Sequence, residues 1–397
     1  MTDWREVESR VFMKTGKRLP VVIVKGEGTR LWDEEGKSYL DFFGGPATTS
    51  LGHCHPAVVA AIEEQARTLI HVSNDVYSLP HLKLAQLLVE NSCLDRVYFN
   101  NSGAEANEAA FKLARKWGKE RKNGAYEIIA TLDSFHGRTL AAVTATGTDR
   151  YKEPFSPLPP GFVHVPFNDI EAMRRATTPR TCAIILEPIQ GEGGVNVPDP
   201  GYLPAVRAWC DEQKILLILD EIQTGICRTG PLFAYQGMGV EPDIMTLAKG
   251  LGSGVPIGAI LAKEHCAVFT PGDHGSTFGG NPLATAAAHA VLRYVLENDL
   301  PARVERVSAH LMRKLHAMED RLPSVTGVRG KGLLVAVALD GDVAESATLE
   351  CLRQGLIVNN IRPNAIRLAP PLTVREDEID EAVAILERAL AGSAGVK

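Results

Sequence analysis

Seven short stretches of the chain are dominated by apolar residues: "RVYFN", "YEIIATL", "FVHVPF", "CAIILEP", "ILLILDE", "DIMTLAK" and "IGAILA". Runs of this length with little polar alternation fit strands covered on both faces. Between them, segments such as "NEAAFKLARKWGKE" and "LPAVRAWCDEQK" repeat apolar residues at three- and four-residue spacing, which predicts amphipathic helices. The alternation predicts an α/β fold with a large, mostly parallel sheet between helices. "LPVVIVKGEG" and "TRLWDEEGKSYLDFF" read as short strands joined at a Glu35-Gly36 turn, and "HPAVVAAIEEQARTLI" reads as a helix with Pro56 in its first turn. "PLATAAAHAVLRYVLEN" and "RVERVSAHLMRKLHAMEDRL" predict two long helices, the second leading out of the main domain near residue 310. The remainder, with "LLVAVAL", "AIRLA" and "EDEIDEAVAILERALA", reads as a smaller α+β unit. The expected division is an N-terminal segment with a small β-element (1–55), a large domain (56–310) and a small C-terminal domain (311–397), since 397 residues exceed the usual reach of one core.

Composition narrows the class without choosing a function. A net charge of -6 gives no reason to expect nucleic acid or an anionic membrane as partner. "MTDWREVESRVF" carries acids where a signal peptide has a basic leader, and no apolar stretch approaches the ~18 residues of a membrane helix, so the expected location is the cytoplasm. Seven scattered cysteines without a C-x-x-C pair argue against a disulfide framework and a zinc site. His53 and His55 in "GHCHP" lack a nearby third ligand, so no metal is expected.

The candidate chemistry lies where strands end. Lys249, in "TLAKGLGSGVPIGA", ends one apolar run and precedes Gly250, Gly252 and Gly254. A P-loop needs G-x-x-x-x-G-K-[ST], and the one "GKS", at Gly36 to Ser38, has Leu31 in place of the first glycine. Another phosphate seat is available in "YFNNSGAEANEAAFKLA", where a strand is followed by Ser102-Gly103-Ala104 and then a helix whose free N–H groups would face an anion. Capping by Ser102 is its plainer use. Asp220 closes "ILLILD", where a charge is costly unless something at the sheet edge requires it. A helix cap, a buried ion pair and the partner of a protonated ring nitrogen all fit that requirement.

Taken in order, "YLDFFGGPATTSLGHCHPAVVAAI", "NNSGAEANEAA", "SFHGRTLAAVTATG", "ILEPIQGEGGV", "LDEIQTG", "LAKGLGSGVPIGA", "STFGGNPLA", "GLIVNN" and "IRLAPPLTV" span nearly the whole chain. With these motifs the chain resembles the class III pyridoxal phosphate (PLP)-dependent aminotransferases of fold type I, most of all the acetylornithine aminotransferase group. The resemblance implies that Lys249 bonds covalently to PLP and then shuttles a proton between substrate and cofactor carbons. It implies Asp220 at the pyridine nitrogen, Gln223 at the ring hydroxyl, Phe135 against the ring, and Ser102, Gly103 and Ala104 at the phosphate. Thr277 would reach the phosphate of a neighbouring subunit, with Ser276 beside it, so a homodimer with shared sites is implied. Arg138 would hold a substrate carboxylate, Arg367 the carboxylate beside the keto group of 2-oxoglutarate, and Glu192 would mask Arg367 while an ω-amine is bound. Tyr77 would line the entrance, and Glu187 reads as structural.

The implied reaction moves the terminal amine of N-acetylornithine to 2-oxoglutarate, giving N-acetylglutamate semialdehyde and glutamate, a step of arginine biosynthesis. Thr49 departs from an asparagine found in many acetylornithine enzymes. The alternatives are succinylornithine, ornithine, 4-aminobutyrate or a carrier-linked lysine as donor, or a PLP-dependent aminomutase. A bare binding module would carry no cofactor chromophore.

Overall fold

All seven apolar runs become strands of one sheet, and their residues alternate between its two faces. The computed structural model describes residues 2–393. Three strands come first, β1 (Ile23–Glu27), β2 (Arg30–Asp33) and β3 (Ser38–Asp41). The seven runs give β4 (Arg96–Asn100), β5 (Glu127–Thr131), β6 (Phe162–Val165), β7 (Thr181–Leu186), β8 (Leu216–Asp220), β9 (Ile244–Leu247) and β10 (Gly258–Ala262). Five strands follow, β11 (Val325–Lys331), β12 (Leu334–Leu339), β13 (Leu356–Ile357), β14 (Asn359–Arg362) and β15 (Ala365–Leu368).

The central sheet has the order β4-β10-β9-β8-β7-β5-β6. Its pairs from β9 to β6 are parallel, whereas β10 runs antiparallel to both of its neighbours. Ile129, Ile184, Leu186, Leu217, Leu219 and Met245 join the larger core on one face. Ile128, Ala183, Ile185, Leu216, Ile218 and Ile244 meet the helix Gly103–Arg121 on the other. Each such buried Leu or Ile contributes roughly 1.5–3 kcal/mol of transfer free energy. The helix lies close to the sheet because Gly118 permits it: a Cβ there would stand 2.1 Å from the Ala125 carbonyl oxygen.

Two smaller sheets flank the central one. One joins β1, β2 and β3 to β13, which pairs in parallel with β3. The other has the antiparallel order β11-β12-β15-β14. A single helix, Leu300–Glu319, runs unbroken across residue 310 and packs against the Glu376–Ser393 helix. No helix among the described residues is long and apolar enough to cross a membrane.

The antiparallel course of β10 brings three strand ends to one edge. Gly258 at its start pairs with Asn100 at the end of β4, and Ala259 pairs with Leu247 at the end of β9. Asp220 of β8 pairs with Thr246 at the same edge.

Candidate active site

Asp220 is 3% exposed at the end of β8, so its carboxyl group needs partners inside the protein. Oδ2 lies 2.8 Å from Asn107 Nδ2 and 2.7 Å from His136 Nδ1, and Oδ1 accepts from the Ile222 amide at 3.1 Å. Asn107, from the second turn of the Gly103–Arg121 helix, also donates to the His136 carbonyl at 2.7 Å and accepts from Thr246 Oγ1 at 2.9 Å. One amide thereby ties the helix, β9 and the His136 loop to the acid. Among the described residues, His136 Nε2 is buried without a hydrogen-bond partner.

After β9 the backbone reverses at once. Lys249 has a left-handed backbone (φ 39°), a conformation costing on the order of 1–3 kcal/mol for a non-glycine residue and met at functional sites. A Cβ on Gly252 would stand 2.0 Å from the Val255 carbonyl oxygen, while Gly254 (φ 110°) borders the cavity described below. Gly252 thus serves the chain's own turn. Burial, with the charge of Arg367 beside it, lowers the Lys249 pKa against the opposing pull of Glu192, Glu187 and Asp220. Among the described residues no side chain hydrogen-bonds its amine.

The third strand end opens the Gly103–Arg121 helix. Ser102 caps it, its Oγ accepting from the Glu105 amide at 3.2 Å. Two glycines hold this loop close. A Cβ on Gly258 would lie 2.4 Å from the Ser102 carbonyl oxygen, and one on Gly103 would lie 2.9 Å from Ile222.

Lys249, Asp220, Ser102, Gly103, Ala104, Phe135, Arg138, Glu192 and Gln223 border one cavity of about 410 Å³, together with Thr48, Asn101, His136, Glu187 and Ile222. Arg138 is exposed at this cavity, its guanidinium 3.9 Å from the Tyr151 ring centroid and 5.4 Å from that of Phe135. Among the described residues no carboxylate pairs with it. Glu187 is buried, accepting from the Phe135 amide at 3.0 Å and the Gly191 amide at 2.9 Å. Burial pushes its carboxyl group up to about 7.

Arg367, 1% exposed on β15, reaches Glu192 Oε1 at 2.6 Å, Gln223 Oε1 at 3.1 Å and Asn359 Oδ1 at 2.9 Å. Burial raises the Glu192 pKa, but the charges of Arg367 and Lys249 and the hydrogen bonds from Arg367 and Gln223 outweigh it and leave it lowered.

Four of the expected residues do not border the cavity within one chain: Arg367, which stands behind Glu192 and Gln223, and Ser276, Thr277 and Tyr77. Ser276 accepts from Asn101 Nδ2 at 3.0 Å, Thr277 is exposed, and Tyr77 is 93% exposed. Thr49 does not border the cavity; its hydroxyl is buried without a hydrogen-bond partner. Conversely, Asn107 and His136 were not singled out from sequence. Their only signal is a polar side chain one helical turn past the phosphate seat and a histidine beside Phe135.

The cavity combines the amine of the half-buried Lys249, a buried acid, a helix start and apolar walls at Phe135 and Ile222. That donor set fits PLP, whose phosphate suits a helix N-terminus and whose ring nitrogen suits a carboxyl partner.

The class-III aminotransferase family model matches residues 11–390. An acetylornithine aminotransferase of Caldanaerobacter subterraneus subsp. tengcongensis is 52% identical over 384 residues, 96% of this chain and 98% of the relative. The crystal structure of the acetylornithine aminotransferase from Elizabethkingia anophelis superposes with a TM-score of 0.88 at 36% identity, covering 98% of each chain. An ornithine aminotransferase of Toxoplasma gondii, crystallised with oxidised glutathione and with PLP partially occupying its active site, gives a TM-score of 0.95 at 36% identity, covering 99% of this chain and 94% of that one. Fold, strand-end geometry and relatives agree, and the chain belongs to the class-III aminotransferases.

Proposed function

We propose that the protein is a PLP-dependent acetylornithine aminotransferase, moving the terminal amine of N-acetylornithine to 2-oxoglutarate. The observation that carries this reading is the single cavity that brings together Lys249, Asp220, the Ser102–Ala104 helix start and the Glu192 carboxylate paired with Arg367. The 52%-identical relative supports the choice of donor.

When bound, PLP supplies an electron sink that makes a proton on the amine-bearing carbon removable. The chain's own residues do the rest. Ser102, Gly103 and Ala104 would hold the phosphate, Asp220, fixed by Asn107 and His136, would keep the ring nitrogen protonated, and Gln223 and Phe135 would serve the ring hydroxyl and the ring face. Lys249, with its pKa lowered by burial, has an amine able to accept a proton from the substrate carbon and deliver it to a different carbon, so that the amino group is left behind. Arg138 binds the donor's carboxylate from the cavity mouth. An N-acylated donor presents one free amine, so only its far end reacts. Glu192 covers Arg367 during that half-reaction, and Arg367 binds the 2-oxoglutarate carboxylate in the next.

A homodimer completes the proposal, with Thr277, Ser276 and Tyr77 serving the partner's site. Ile70, Val76, Tyr77, Leu79, Leu82 and Phe278 are all about half exposed or more, an apolar surface beside Ser276 and Thr277 that a second copy would cover. The same reading keeps three units, residues 1–55, 56–310 and 311–397, and a cytoplasmic enzyme of arginine biosynthesis.

Protein loaded with PLP and reduced with borohydride should carry the pyridoxyl group on Lys249; a different modified lysine overturns the site. Among N-acetylornithine, succinylornithine, ornithine and 4-aminobutyrate, N-acetylornithine should give the highest kcat/KM with 2-oxoglutarate. Another donor in first place overturns the substrate, and an amine moved within one molecule without glutamate formation would point to the aminomutase.

A further inference from the structure

Glu192 sits on a glycine-rich turn held partly by its own bonds and partly from outside. Gly191, Gly193 and Gly194 surround it, Gly194 and Val195 have positive φ (126° and 55°), and a two-way bridge between Gln190 and Asn196 closes it. Asn196 closes its base through backbone bonds with Gln190 at 3.0 and 3.1 Å and through side-chain bonds to Gln190 Oε1 at 2.9 Å and the Gly193 carbonyl at 3.2 Å, whereas the amides of Gly194 and Val195 make only long bonds to the Gly191 carbonyl, at 3.4 and 3.3 Å. Ordering so many glycines costs more backbone entropy than ordering other residues. The Gly193–Gly194 tip is the part with the weakest internal support, and contacts from outside the turn add to it.

Two arginines of the C-terminal sheet do so. Arg329 on β11 places Nε and Nη2 on the Gly194 carbonyl oxygen at 2.9 and 2.6 Å. Arg362 on β14 places Nε on the Gly193 carbonyl oxygen at 3.0 Å and pairs with Asp133 through Nη2. Arg329 has no carboxylate partner among the described residues, and burial and the charge of Arg362 both weigh against its own charge. Two guanidiniums on consecutive carbonyls are an unfavourable juxtaposition unless the turn's position matters. The same sheet carries Arg367 on β15, so one element grips both the backbone of the turn and the carboxylate of Glu192. On its inner side the turn is blocked, since a Cβ on Gly191 would stand 1.8 Å from Gln223 Oε1.

We propose that Arg329 and Arg362 are positioning residues that pin the Glu192 turn by its carbonyls, so that Glu192 uncovers and covers Arg367 by side-chain rotation and not by loop opening. This rests on the proposed role of the Glu192–Arg367 pair and adds the residues that keep it selective. A pinned backbone returns the carboxylate to the same place after each 2-oxoglutarate half-reaction. An unpinned one leaves Arg367 bare for part of the time and admits α-amino donors.

The test uses the PLP-loaded enzyme and its Arg329→Gln and Arg362→Gln variants, which keep a planar donor while losing the charged fork. The ratio of kcat/KM for the preferred ω-amine donor to that for L-glutamate, measured in separate half-reactions, should fall by roughly 5- to 10-fold in each. Adding either arginine change to Glu192→Ala should give no fall beyond that of Glu192→Ala alone, because the arginines act through Glu192. Amide exchange across residues 190–196 should accelerate on the order of tenfold in the variants. Arg329→Lys, which keeps one charged hydrogen bond, should recover part of both effects. An unchanged donor ratio, or losses that add to that of Glu192→Ala, would overturn the proposal whatever the exchange shows. Wild-type enzyme in the same assays tests the donor itself, and a different preferred ω-amine would leave the ratio measurable.

Discussion

Glu187 and Glu221 are buried carboxyl groups, each pushed up to about 7 by burial. The folded protein therefore keeps protons on them between about pH 4.5 and 7, where the unfolded chain has released its own. More protons on the folded side mean that these groups make stability fall as pH rises through that window and level off above it. Glu187→Gln removes one such proton without changing shape. We expect its thermal midpoint to decline less than that of the wild type between pH 5 and 7, as read by a melting series, and an unchanged slope would mean that Glu187 is ionised throughout. Glu192 has the opposite sign, a lowered pKa beside Arg367. Glu192→Ala should raise kcat/KM for L-glutamate as donor by roughly tenfold while lowering that for N-acetylornithine, since one loses competition for Arg367 and the other faces a bare charge. An unaltered donor preference would count against the exchange of partners at Arg367.

At the scale of elements, the edge where β4, β9 and β10 meet depends on Gly258. An added Cβ would stand 2.1 Å from Asn100 Oδ1 and 2.4 Å from the Ser102 carbonyl oxygen, so the loop must move. Gly258→Ala should cost about 1–3 kcal/mol in chemical denaturation and weaken PLP retention more than the Ser102→Ala cap loss does. Equal retention would show that the loop does not seat the phosphate.

The central strands were legible because burial on both faces leaves nearly unbroken apolar runs, as in "LLILD" and "IMTL". The direction of β10 was not, because an apolar run carries no polarity of course; only the short link from Lys249 to Gly258 hinted that no crossover could fit. β13 is two residues long and β11 mostly half-buried, so neither stands out by pattern. The Leu79–Glu90 helix was hidden because Leu79 and Leu82 face outward and blur its apolar stripe. Lys249 and Asp220 were conspicuous as charges ending apolar strands. Asn107 and His136 look ordinary in the chain, and only folding shows that both reach one carboxyl oxygen.

For the molecule as a whole, the proposed sharing of sites between two subunits has its own test. Lys249→Ala and a bulky Thr277→Tyr should each be nearly inactive alone. Mixed and reassociated, they should regain activity, because one site of each hybrid then combines an intact Lys249 with the partner's intact Thr277. No recovery would mean that Thr277 serves its own chain or that the copies do not exchange.

The pairing of β3 with β13 also bears on the order of events during synthesis. Leu40 meets Leu356 and Asp41 meets Ile357, contacts separated by most of the chain. Non-local pairings of this kind form late, because a long loop must close before they contribute. On the ribosome, β3 thus presents an unpaired edge until β13 emerges, a window in which a neighbouring nascent chain offers the same edge. The β1–β3 element is completed only when β13 has been made, and pausing translation before residue 356 should leave it open to proteases that spare the finished protein.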